Sequence, residues 1–193
     1  MTRTAHTMHD PSHSVFGFWI YILSDCLLFA ALFASYAVLH ASTFGGPSST
    51  DLFSLPYVLT ETIVLLTSSF TCGVALLFAY KNRPAESAAL LVVTLGLGAI
   101  FIVLEMHEFS QLIREGNGWQ RSGFLSAFFT LVGTHGLHVT LGALWMFVLI
   151  IQLLHRGLTA MTVRQLQMLT LFWHFLDVVW IFIFSFVYLI GSL

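Results

Sequence analysis

Apolar residues in this chain fall in long unbroken stretches, without the alternation of a half-buried strand or the one-sided spacing of a helix on a soluble core. Five stretches stand out between polar breaks, at about 15–39, 57–80, 88–113, 123–154 and 166–190. Each is long enough for a helix to cross a hydrocarbon core of roughly 30 Å, which takes about 20 residues. The fourth has no Asp, Glu, Lys or Arg between Arg121 and Arg156, so it can span with tilt or continue as helix beyond the membrane. A barrel strand would alternate apolar and polar positions over about ten residues, a pattern absent here. The predicted fold is an all-α, polytopic membrane bundle of five transmembrane helices.

The breaks carry turn chemistry: Gly45-Gly46-Pro47, Asn82-Arg83-Pro84, Gly116-Asn117-Gly118 and Arg156-Gly157. Composition agrees, since 58% of the 193 residues are hydrophobic and 8% are charged, too few charges to cover a water-soluble domain. The length leaves no room for a second domain, so 1–193 reads as one unit with a short polar tail at 1–14. The apolar run after that tail is too long for a signal-peptide core. A net charge of -2 offers no basic stripe for nucleic acid. Cys26 and Cys72 lie within apolar runs and read as small packing residues.

If the helices alternate, Arg3, Lys81, Arg83, Arg156 and Arg164 share one side, and Arg114 and Arg121 the other. The positive-inside bias then predicts a cytoplasmic N-terminus and a periplasmic C-terminus. Trp19, Tyr57, Tyr80, Trp119 and Tyr188 lie near span ends, where amphipathic rings favour the interface.

The candidate chemistry lies in ionisable groups inside the spans, because each costs at least about 2.5–3.5 kcal/mol at the bilayer centre on insertion scales. At about 1.5 Å rise per residue, Asp25, His135, His138, His174 and Asp177 come out near mid-depth. Glu61, Glu105, His107 and Glu108 come out nearer the external side. His135 with His138, and His174 with Asp177, are three apart and share a helix face. Such groups suit metal or haem ligation, a proton relay, or hydrogen bonding between helices. Glu105 and Glu108 could share a proton or lie solvated near the interface. Gly136 and Thr140 have the small-xxx-small spacing that permits close helix approach.

Three blocks carry a family resemblance. Gly17-Phe18-Trp19-Ile20-Tyr21 followed by Leu23-Ser24-Asp25-Cys26 resembles the opening of haem-copper oxidase subunit III. Gly133-Thr134-His135-Gly136-Leu137-His138-Val139 resembles that family's His-Gly-x-His helix, and Trp173-His174-Phe175-Leu176-Asp177-Val178-Val179-Trp180 its last helix. The blocks occur in the family's order across nearly the whole chain. Five helices, Ser24-Asp25-Cys26 and Leu55-Pro56-Tyr57-Val58-Leu59-Thr60-Glu61-Thr62 resemble the quinol-oxidizing branch, with cytochrome c oxidases and nitric oxide reductase-associated homologues as alternatives.

The resemblance implies a bacterial inner-membrane complex that oxidizes quinol, reduces oxygen to water and moves protons. It implies that haems and copper sit in subunit I, that subunits II and IV are further partners, and that this chain is not an enzyme alone. The chain would hold no cofactor or metal of its own and would bind phospholipid, with Arg83 and Arg156 as candidate headgroup contacts. Asp25 stands where the family has a buried acid, as glutamate in mitochondrial-type members. Glu108, His135, His138, His174 and Asp177 match family motif positions, as scaffold or proton-antenna candidates. An independent haem- or metal-bearing redox protein, suggested by nine histidines, and a transporter module are readings from other classes.

Overall fold

A computed structural model describes residues 11–40, 42 and 55–189, with side chains from Val15 onward within the first helix. It contains α1 (Pro11–Leu39), α2 (Leu55–Tyr80), α3 (Pro84–Arg114), α4 (Gly123–Arg156) and α5 (Ala160–Ile183). α5 continues as a π-helical segment, Phe184–Leu189. All five helices are long and apolar enough to cross a membrane. The polar tail and the Gly45-Gly46-Pro47 turn lie mostly outside the described residues. Within them, α1 begins at Pro11, ahead of the apolar span that opens at Val15.

α3 and α5 start ahead of their apolar stretches, because local capping and not hydrophobicity alone decides where a helix begins. Pro84 sits in the first turn of α3, where its missing N–H costs nothing. Ser122 accepts a hydrogen bond from Leu125 N at 3.1 Å, and Thr159 accepts one from Thr162 N at 3.1 Å. Thr159 thereby starts α5 six residues before its apolar run. Asn82 takes a positive φ of 55° in the tight turn between α2 and α3, and Gly157, at φ 66°, ends α4. Ser122→Ala is expected to cost about 1 kcal/mol, read as a lower thermal midpoint of the detergent-solubilised protein.

Packing closes α2, α3, α4 and α5 into a ring, α2 on α3, α3 on α4, α4 on α5 and α5 back on α2. α1 lies outside this ring against α4 and, more lightly, α5. Its buried stripe is Ile22, Asp25, Phe29 and Tyr36, spaced three, four and seven apart so that one face meets the ring. The outer surface is apolar, with Leu27 at 73%, Phe70 at 71% and Val103 at 67% exposure. This is the distribution of a bundle solvated by lipid. Exposed hydroxyls on Ser24, Ser35, Thr60, Thr67, Thr130 and Thr140 donate to carbonyls one turn earlier, so their O–H groups are satisfied within their own helices.

The α2–α5 seam is stitched by two indoles. Trp173 Nε1 donates to Ser68 Oγ and Trp180 Nε1 to Thr62 Oγ1, each at 3.0 Å. Between α2 and α3, Thr71 and Thr94 hydroxyls pair at 2.8 Å, and Tyr57 donates to the Leu104 carbonyl at 2.9 Å. At the α3–α4 loop, Arg121 Nη1 donates to Asn117 Oδ1 at 2.8 Å and to the Gly116 carbonyl at 3.2 Å.

Candidate functional site

The residues expected to form one mid-depth layer are divided among three places. Asp25 and His138 meet where α1 leans on the ring, His138 Nε2 lying 3.7 Å from Asp25 Oδ2. The other ring nitrogen of His138 bonds the Thr134 carbonyl at 2.7 Å, which makes Nδ1 the donor and turns Nε2 toward the carboxyl. Tyr21 is within interaction range of Asp25 from one turn earlier on α1. Phe29 packs its ring 5.3 Å from that of His138. A carboxyl and an imidazole, each within hydrocarbon, thus join the outer helix to the ring.

His135 shares a helix face with His138 in sequence terms, yet it points into the ring. It is fully buried, and neither ring nitrogen has a hydrogen-bond partner. Its imidazole stacks on Trp180 with centroids 5.2 Å apart and meets Phe101 edge-on at 6.0 Å. Phe29 closes another side at 6.3 Å. A haem plane could not approach this enclosed ring, so the site does not fit an axial ligand. Among the described residues, no group of three His, Cys, Asp or Glu side chains is arranged to hold a metal ion.

His174 and Asp177 occupy the α2–α5 side. His174 is exposed on the bundle surface and its Nδ1 bonds the Thr170 carbonyl at 2.7 Å. Asp177 is buried with Ser69 in interaction range, and neither Asp177 Oδ1 nor Ser69 Oγ completes a hydrogen bond.

The carboxyls expected nearer the external side come together inside the ring, except that His107 faces outward. Glu61 on α2 is fully buried, with 0% solvent exposure and no hydrogen-bond partner on either oxygen. Glu105 and Glu108 on α3 are at 3% and 9% exposure, which excludes their being solvated at the interface. All three are within electrostatic reach of one another. Tyr188 donates to Glu108 Oε2 at 2.9 Å.

Two features of this cluster escape sequence reading. Tyr188 was expected in the interfacial belt, but it is fully buried, because the wider π-helical turn brings both Val187 and Tyr188 to the inner face. Gly136 was expected to admit a neighbouring helix backbone; it instead admits the Glu105 carboxyl, since a Cβ there would lie 2.5 Å from Oε1. The π-turn has no signal in the sequence. The glycine beside His135, Gly136, was the available hint for the second.

Arg83 pairs with Glu86 at 2.5 Å and stands over the Phe78 ring at 5.3 Å, so it is already engaged at the end of the bundle where it was expected. Arg156 is exposed in the last turn of α4. Cys26 is exposed on the apolar surface and Cys72 is buried, both as free thiols.

A lipid-solvated ring of four helices with an outer fifth, and with acids and imidazoles in its seams, defines a multi-pass membrane protein. The comparisons with known proteins make this specific. The chain belongs to the cytochrome c oxidase subunit III family, whose model matches residues 2–192. It is 56% identical over 190 residues to the cytochrome bo(3) ubiquinol oxidase subunit 3 of Pseudomonas aeruginosa, covering 96% of this chain and 91% of that protein. The protein of the same name from Pseudomonas putida is 52% identical over 186 residues, covering 96% of this chain and 90% of that one. A probable quinol oxidase subunit 3 from Staphylococcus saprophyticus is 40% identical over 196 residues, covering 99% and 98%.

Proposed function

We propose that this chain is the third, non-redox subunit of a proton-pumping ubiquinol oxidase in a bacterial inner membrane. The observation that carries the reading is identity of 56% and 52%, over nearly the full length, to proteins named as subunit 3 of that oxidase. In this reading haems and copper belong to subunit I, which oxidizes quinol and reduces oxygen to water, and subunits II and IV complete the assembly. The whole chain acts as one domain, with its N-terminus cytoplasmic. Lys81, Arg83, Arg156 and Arg164 at one end of the helices support that orientation. Arg83 and Arg156 are proposed to meet phospholipid headgroups, and the apolar outer face their acyl chains.

The subunit's contribution is structural: it presents a stable apolar surface to its neighbour and fastens α1 through Asp25 and His138. The burial of this pair between α1 and the ring supports a role in holding the outer helix in place for the contact with subunit I. Asp25→Ala or His138→Ala is expected to loosen association with subunit I or slow proton uptake, with haem content nearly unchanged. Interhelical polar contacts in lipid contribute about 1 kcal/mol, so partial dissociation in detergent is the expected scale.

The deciding experiment is affinity purification of the tagged chain from native membranes in mild detergent, assayed with ubiquinol and with cytochrome c. Co-purification with a larger haem protein and turnover of ubiquinol is expected. Turnover of cytochrome c alone would move the chain to the cytochrome c oxidase branch. Recovery of the chain by itself, or with haem of its own, would sink the proposal.

A further inference from the structure

Glu61, Glu105 and Glu108 come from two helices but share one interior volume, and the described residues offer them no cation. The ion pairs found among those residues are Arg83 with Glu86 and His138 with Asp25, neither of which involves the cluster. The other titratable groups within electrostatic reach of the cluster are Tyr57 from α2 and Tyr188 from the π-helical segment, while His107 is turned outward on α3. α1 contributes no titratable contact to it that the structure records.

Glu61 supplies the second observation beside the α3 pair. It enters from another helix, is fully buried, reaches both partners electrostatically and has neither oxygen hydrogen-bonded. One oxygen of Glu105 is likewise without a partner, while its carboxyl rests in the space left by Gly136. One helical turn deeper on α3, Phe101 and the Trp180 indole form a floor against which His135 lies with both nitrogens unbonded. Ionised carboxylates at such spacing in a low-dielectric interior would repel each other and lack any compensating donor. A neutral carboxylic acid has its own O–H to donate and avoids both costs.

We propose that Glu61, Glu105 and Glu108 form a buried proton-binding site, in which Glu61 and Glu105 are neutral acids at neutral pH and Glu108 is the point of exchange. Glu108 is the least buried of the three, and Tyr188, held over it by the π-helical turn, closes that route. The ligand is the proton, and the site is separate from the Asp25–His138 pair on the outer seam. The inference goes beyond the subunit assignment and does not depend on which electron donor the complex uses.

Infrared spectroscopy of the protein purified in its native assembly tests this. At neutral pH the wild type should show the carbonyl stretch of protonated carboxyls, shifting to lower frequency in deuterium oxide. Glu61→Gln and Glu105→Gln should each remove part of that absorption without disrupting assembly, because glutamine keeps the shape of the neutral acid. Glu86→Gln, at the exposed pair with Arg83, should leave it intact. Tyr188→Phe should speed the deuterium shift. Unchanged absorption in both glutamine variants, or loss of an ionised-carboxylate band in its place, overturns the proposal. So does a deuterium shift as slow in Tyr188→Phe as in the wild type. Should the glutamine variants fail to accumulate, the wild type decides: protonated-carboxyl absorption that vanishes between mildly acidic and neutral pH is equally fatal.

Discussion

Trp180→Ala is expected to give the largest loss of stability of any single truncation in the bundle, about 3–5 kcal/mol. Its side chain is fully buried, stacks on His135, meets Phe101 edge-on at 4.7 Å and donates to Thr62 across the α2–α5 seam. In lipid the apolar area is no longer removed from water, so the loss comes from dispersion contacts, the cavity left behind and the hydrogen bond from the indole to Thr62, whose hydroxyl keeps its own bond to the Val58 carbonyl. Trp180→Phe should recover most of the packing but not the hydrogen bond. The thermal midpoint of the purified assembly should therefore fall in the order wild type, phenylalanine, alanine. Equal midpoints for wild type and alanine would show that the closed ring does not depend on this contact.

Gly98→Leu is expected to prevent assembly, whereas Gly96→Leu, two residues away on the same helix, should be tolerated. A Cβ on Gly98 would come within 2.9 Å of the Trp173 indole, while one on Gly96 would meet nothing within 4 Å. Trp173 cannot swing aside cheaply, because it is buried at 2% exposure and its Nε1 is committed to Ser68. Overpacking of this kind costs about 1–3 kcal/mol, and a full leucine against an immobile ring lies at the upper end. The measurement is the amount of the chain recovered with its partners in membranes expressing each variant. Similar recovery for the two variants would contradict the packing assigned to the α3–α5 approach.

These predictions separate what could be read linearly from what could not. The unbroken apolar stretches made the five crossing helices legible, because lipid forces every backbone amide to be satisfied within its own helix. Their ends were less legible: α4 starts at Gly123 as its apolar stretch does, but Thr159 and Pro84 start α5 and α3 earlier by local hydrogen bonding and backbone geometry that hydrophobicity does not register. The polar residues inside the spans were likewise identifiable, since each is costly there. The three family motif blocks fall where the family match runs, over residues 2–192.

The grouping of those polar residues was another matter. Depth along a helix follows from residue number, but azimuth relative to four neighbours follows from crossing angles and from which helix closes the ring. Three residues of separation left His135 and His138 on one face, and a rotation of that face against α1 and the ring sends one inward and the other outward. Tyr188 was read as an interfacial ring from its place near a span end, and the π-helical turn instead sets it on the inner face.

Hydrophobic length thus determines, without reference to any neighbour, that this chain crosses the membrane with five helices and carries acids and imidazoles at depth. Only the packed bundle decides that Glu61, Glu105 and Glu108 share an interior, that Asp25 reaches His138, and that Gly136 makes room for a carboxyl. The physical reason is that insertion depends on the free energy of each segment in lipid, whereas contact depends on the relative rotation and closure of several segments at once.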